Sequence, residues 1–120
     1  MADAPRRAQG ELESEILAAL WSTSDPLTPG EVREHITGGP AYSTVVTTLS
    51  RMYGKGTLSR VRTGRAYAYA PVADEAGLAA RRMRQVLDAE RDRGTVLARF
   101  VSGLTAEDER ALRQLLESDA

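Results

Sequence analysis

Residues 41–71 read AYSTVVTTLSRMYGKGTLSRVRTGRAYAYAP, and two periodicities meet within them. Val45, Leu49 and Met52 recur at i, i+4 and i+7, which places them on one face of a helix from about Tyr42 to Met52 or Tyr53. The run Thr-Val-Val-Thr-Thr has the β-branched content of a strand, but the apolar period is helical, and Gly54 and Gly56 supply a stop. The period then drops to two. Two short segments, about 58–62 and 66–70, flank Thr63-Gly64-Arg65, a hairpin signature with glycine in its tip, and Pro71 ends the second strand.

Upstream, Thr28-Pro29-Gly30-Glu31 is the clearest helix start in the chain. Thr28 serves as N-cap, Pro29 takes the first helical position, and Glu31 reaches back to complete a capping box. Val32 and Ile36 face inward, and Gly38-Gly39-Pro40 ends this helix after about eight residues. Before it, GELESEILAALWS at 10–22 sets Leu12, Ile16 and Leu20 four apart with Leu17 alongside, and Asp25-Pro26 turns the chain. Residues 1–9 read as a flexible arm. Three helices followed by a two-stranded hairpin is the order of a winged helix-turn-helix, so residues 10–71 are expected to form a winged-helix DNA-binding domain, mostly α with a small β-hairpin.

Residues 72–120 read as further helices. The segment 74–92 carries Leu78, Met83, Val86 and Leu87 among many charges, and Gly94 is expected to interrupt it. Residues 95–102 bring Val96, Leu97, Phe100 and Val101, and Gly103 interrupts again before Thr105 caps a last helix bearing Leu112, Leu115 and Leu116. So few residues cannot bury all these stripes on one another. A C-terminal helical dimerisation module is therefore expected, with Leu87, Val96, Phe100, Leu104, Leu112, Leu115 and Leu116 at the interface.

Composition narrows the function. The chain has 120 residues, 42% hydrophobic but only 5% aromatic, so Leu, Val, Ile and Ala must build the core. With Cys 0 and His 1, disulfides, iron–sulfur clusters, thiolate zinc sites and multi-histidine metal sites are ruled out, and no metal or cofactor is expected. No signal peptide or transmembrane run is visible, which points to a soluble, cytoplasmic protein without a membrane partner. The net charge of −1 conceals an asymmetry: between Ile36 and Ala73 there is no Asp or Glu, yet Arg51, Lys55, Arg60, Arg62 and Arg65 all fall there. Such a stretch either forms a solvated basic surface or approaches a polyanion.

The outward face of the third helix favours the polyanion. Ser43, Thr47 and Ser50 lie opposite the apolar stripe, with Thr44 and Arg51 on its flanks. Hydroxyls bond phosphate oxygens or base edges, threonine methyls touch thymine methyls, and short side chains let a helix lie close in a groove. The hairpin adds Arg60, Arg62 and Arg65, the last beside the glycine tip, where it can reach the backbone or a minor groove. Tyr67 and Tyr69 share one face and suit core packing better than base stacking. Trp21 reads as a packing residue and His35 as a surface or capping one. The acidic clusters near 11–15 and 107–109 suit helix N-termini. No nucleophile, phosphate-loop or metal motif accompanies them, so catalysis is not expected.

GELESEILAALW, followed by AYSTVVTTLSRMYGKGTLSRVRTGRAYAYAPV, resembles the penicillinase-repressor (BlaI/MecI) family of bacterial transcriptional regulators over about Gly10 to Glu117. The resemblance implies a homodimeric repressor whose winged helices each read half of an inverted-repeat operator in double-stranded DNA. It places Tyr42, Ser43, Thr44 and Thr47 at the family's recognition-helix contacts and Arg65 in its wing; Ser43 stands where threonine is frequent. Copper-responsive relatives carry a C-terminal cysteine cluster that this chain lacks. In β-lactam-responsive relatives a regulatory protease cuts just ahead of a phenylalanine. The matching bond here is Arg99–Phe100, with Arg99 where the best-known members have asparagine; Phe100 reads first as the aromatic anchor of the dimer core, a role compatible with cleavage beside it.

The function expected from the residues and the resemblance together is a repressor released by proteolysis or another signal under cell-wall antibiotic stress. Two other readings stay open. A ligand-sensing winged-helix regulator would need a long apolar cavity in the helical module, which the arginine-rich 74–92 segment does not suggest. A protein-interaction adaptor would use the winged helix only as a scaffold.

Overall fold

The computed structural model describes residues 9–118. The arm expected at 1–9 lies outside that range except for Gln9, which already belongs to the first helix. The chain divides after Leu78 into two compact units.

In the first unit α1 (Gln9–Trp21), α2 (Pro29–His35) and α3 (Tyr42–Gly54) precede an antiparallel pair, β1 (Leu58–Thr63) and β2 (Ala66–Pro71). This is a winged helix. Its core follows the stripes in the sequence: Leu12, Ile16 and Leu20 from α1, Val32 and Ile36 from α2 and its end, Val45, Leu49 and Met52 from α3. Leu58 and Tyr69 close the core from the wing, with Leu17 and Tyr67 partly buried against it. α4 (Glu75–Asp88) begins in this unit and buries Leu78.

Local chemistry fixes how the elements join. Gly38 and Gly39 adopt φ of 90° and 57° between α2 and α3, a region glycine enters without a Cβ clash. Arg33 Nε donates to the Pro40 carbonyl at 2.9 Å across the same turn. The pairing Thr63↔Ala66 leaves Gly64-Arg65 as a two-residue loop, and Gly64 supplies the positive φ, 63°, that such a tight loop requires. The Leu27 and Tyr69 main chains exchange hydrogen bonds of 2.9 and 2.7 Å, tying the wing to the loop before α2. Trp21 Nε1 donates to the Ala73 carbonyl at 2.9 Å, so the end of α1 holds the segment leaving the wing.

The capping box at α2 forms as read. The Thr28 N–H donates to Glu31 Oε1 at 2.9 Å, and the Glu31 N–H donates to Thr28 Oγ1 at 3.3 Å. The Thr28 backbone bond first, then its hydroxyl, hold the Glu31 carboxyl below the usual carboxylate range. A lowered folded pKa means the stabilisation is fully present above the unfolded value and is lost as pH falls through the folded one. The thermal midpoint of the protein should therefore exceed that of Glu31→Gln at neutral pH, and the gap should close on acidification. Melts across the acidic range check this; a gap that stays constant would show that the ionised carboxylate contributes nothing to the cap.

The second unit holds the rest of α4, then α5 (Arg93–Ser102) and α6 (Ala106–Ser118). Its first break is not at Gly94, as the sequence suggested. α4 ends at Asp88, and Asp92 caps α5 by accepting from the Thr95 N–H at 3.1 Å and the Thr95 hydroxyl at 2.6 Å. A carboxylate with a threonine three residues on is a stronger start signal than a glycine is a stop, and glycine is tolerated in a first turn. Gly103 does end α5, and Thr105 Oγ1 accepts from the Asp108 N–H at 3.1 Å at the start of α6. Neither α5 nor α6 buries a single side chain: Phe100 is 48% exposed and Leu116 71%. Ala80, Met83, Val86, Leu87, Leu97 and Phe100 line most of an open groove of about 450 Å³ between α4 and α5. The arginines of α4 obscured it in the sequence, because Arg81, Arg82 and Arg84 are interleaved with its apolar residues.

Candidate nucleic-acid interface

Burying Val45, Leu49 and Met52 turns the opposite side of α3 to solvent. Tyr42, Ser43, Thr44, Thr47, Ser50 and Arg51 are all exposed there. Ser43, Thr44, Thr47 and Arg51 line one shallow concavity, together with Thr48. Thr48 was missed in the sequence. It is buried, and its Oγ1 donates to the Thr44 carbonyl at 2.8 Å, which satisfies the hydroxyl and supports the backbone under the concavity. Its position three residues after Val45, inside the apolar arc, was the available signal. The first turn of α3 has no acidic residue, and Ala41 at its N-cap offers no side-chain acceptor. The positive end of that helix is therefore not neutralised locally.

The five cations of the acid-free stretch have different surroundings. Arg65 is exposed in the two-residue loop, and Arg62 is exposed on β1, 5.4 Å from the Tyr67 ring centroid. Lys55 is drawn into an ion pair with Glu13 of α1 at 3.3 Å, a partner that no local pattern disclosed. Arg60 is half-buried: its guanidinium carbon lies 3.9 Å from the Tyr53 ring centroid and 4.0 Å from that of Tyr67. Hydrogen bonding toward Tyr69 is the main cause that raises its pKa further above the usual guanidinium value, so it stays charged. Tyr69 is core, Tyr67 bridges core and wing, and their rings meet edge to face at 6.5 Å. His35 Nδ1 lies 2.8 Å from the Glu31 carbonyl on the exposed side of α2. Among the described residues no three of His, Cys, Asp and Glu gather as a metal site would require. No described helix is long and apolar enough to cross a membrane.

Of the expected interface residues in the second unit, Leu87, Val96, Leu104 and Leu112 are half-buried, while Phe100, Leu115 and Leu116 are exposed. The Arg99–Phe100 bond lies inside α5.

A winged helix with a hydroxyl-rich, acid-free recognition face and arginines along its hairpin has the form of a transcriptional regulator. The sequence profile of the penicillinase repressor family matches residues 9–118. The chain belongs to that family. It is 35% identical over 112 residues to the transcriptional regulator BlaI of Mycobacterium tuberculosis, in both strain CDC 1551 and strain H37Rv, covering 89% of this chain and 81% of the relative. It is thus a transcriptional regulator, and its family is not an enzyme class. Among solved structures, the DNA binding domain of the repressor BlaI matches at 29% identity with a TM-score of 0.48, over 63% of this chain and 92% of that one. The PcaV transcriptional regulator from Streptomyces coelicolor, in complex with its natural ligand, matches at 23% identity with a TM-score of 0.47, over 98% and 78%. At those scores neither superposition adds to the topology described above.

Proposed function

We propose that this chain is a repressor that binds an inverted-repeat operator as a homodimer, each α3 entering a major groove and each wing lying along the adjacent backbone. The observation that carries the reading is the concavity of Ser43, Thr44, Thr47 and Arg51 on a helix face without acid, followed in the chain by the exposed wing arginines Arg62 and Arg65. Hydroxyls and a guanidinium there suit base edges and phosphates. Tyr42 and Ser50 flank the same surface, and Arg62 and Arg65 meet phosphates from the wing. Residues 10–71 are the DNA-reading part and 72–120 the dimerising part. The unburied stripes of α5 and α6 support a second copy as their cover.

Release from the operator under cell-wall antibiotic stress follows if a protease cuts Arg99–Phe100. Because that bond is helical, α5 has to open locally before it fits a protease cleft. Cleavage would detach Leu104 through Leu116 and leave the seam half-built. Phe100 serves as the aromatic anchor of that seam in the uncut protein. A ligand-sensing regulator is the second reading, favoured by the apolar groove alone; it requires the groove to stay open in the dimer.

Two substitutions and a salt titration test the DNA reading. Thr47→Ala should weaken operator binding by about tenfold and leave binding to random DNA nearly unchanged, since it removes a groove contact. Arg65→Ala should weaken both and lower the salt slope by about 2 per dimer, one phosphate from each wing. Equal losses on operator and random DNA for Thr47→Ala would show that this face does not read sequence. A salt slope near zero for the unmodified protein would remove the phosphate contacts altogether.

A further inference from the structure

The Arg60 guanidinium lies 3.9 Å from the ring centroid of Tyr53 in the last turn of α3 and 4.0 Å from that of Tyr67 on β2. The guanidinium carbon thus lies over both rings at once, one from the end of α3 and one from β2. Arg60 itself sits on β1 directly across from Tyr69, on the core side of the wing, whereas Val61 on the other side of the strand is exposed. A guanidinium is the one cation that is flat enough to stack on both sides and keep its hydrogen-bonding edge free. The three aromatic residues come from two elements, the end of the recognition helix and the second wing strand.

From this geometry we infer that Arg60 is a positioning residue: it clamps the wing to the C-terminal end of α3 and so fixes the spacing between the groove-reading face and the wing-tip arginine, rather than meeting a phosphate. The inference rests on the operator-binding reading for its functional consequence, but not for the clamp. Its charge holds rings, and the phosphate-facing charge of the wing belongs to Arg62 and Arg65, which are both exposed. A wing freed from α3 still carries those arginines and still touches DNA. It must first be ordered to deliver them at the distance that one operator half-site demands, which costs affinity but no contact. Operator binding should suffer and random binding should not.

The test is a double-mutant cycle on the full chain with Arg60→Ala and Tyr53→Leu, with Tyr53→Phe as the ring-preserving control. Each of the two single variants should lower operator affinity by about tenfold, the double variant hardly more, and Tyr53→Phe hardly at all. The salt slope should stay at the unmodified value in all of them, because no phosphate contact is lost. Arg60→Lys should resemble Arg60→Ala, since an ammonium keeps the charge but cannot stack on two faces. The opposite pattern overturns the clamp: a slope lowered by about 2 per dimer in Arg60→Ala, restoration by Arg60→Lys, and no effect of Tyr53→Leu. Amide exchange of the free protein gives an arm without DNA. Val61 to Ala68 should exchange faster in Arg60→Ala and Tyr53→Leu, to the same extent, and not in Tyr53→Phe. Unchanged wing exchange refutes the clamp even if the protein binds DNA, and coupled exchange upholds it even if no operator is bound, in which case the DNA reading alone fails.

Discussion

Leu115→Asp is expected to turn the protein into a monomer and to lower operator affinity by about 10² to 10⁴-fold, the range lost when two linked binding events become independent. α6 places Leu112, Leu115 and Leu116 within little more than one turn, and Leu115 is 65% exposed in the single chain. An aspartate there costs a lone chain almost nothing, because it faces water. In a dimer the same carboxylate is shut into an apolar seam without a partner, at several kcal/mol (roughly 2–7 for an uncompensated polar group). The variant therefore separates association from folding. Sedimentation reads the first and far-ultraviolet circular dichroism the second. Leu112→Asp should agree with it. An intact dimer in both variants would move the interface off α6.

Leu49→Ala carries the largest expected effect on stability. Leu49 has 0% exposure at the centre of the first unit, packed among Ile16, Val32, Val45 and Met52. Truncating such a leucine costs about 2–5 kcal/mol in lost transfer energy and residual cavity. For a domain of this size that is a drop of roughly 8–40 °C in thermal midpoint. Thr47→Ala, two residues earlier on the exposed face, should stay within about 0.5 kcal/mol. The pair asks whether α3 is held by its apolar stripe and free on its hydroxyl face. Thermal unfolding of both variants decides it. A loss below about 1 kcal/mol for Leu49→Ala would mean that the helix is not anchored by this stripe.

Where a signal is local, the sequence disclosed the structure well. The Thr28 capping box, the glycine turn at Gly38-Gly39, the hairpin tip at Gly64 and the stripe of α3 each lie within a few residues of chain, and each formed, although α2 already ends at His35 and Thr63 belongs to β1. The third helix formed despite its β-branched run, because the buried stripe outweighs intrinsic propensity. α5 starts from the Asp92–Thr95 cap and not after Gly94, because a side-chain cap is the stronger local signal. What could not be read was any pairing across distant elements. Lys55 meets Glu13, 42 residues away, and Arg60 meets Tyr53 and Tyr67. In the acid-free stretch Lys55 and Arg60 are cations like Arg51 and Arg65, but the fold gives each of the two a partner within the protein. The groove of the second unit was hidden for a related reason: composition averages over a helix, whereas a groove needs only one of its faces.

Selection of bound genomic fragments by the purified protein, with the number of chains per fragment counted, tests the central claim most directly. Two chains on an inverted repeat, with half-sites about one helical turn (10–10.5 base pairs) or a multiple apart, is the expected result. Fragments that share no motif, or a single half-site held by one chain, would contradict it.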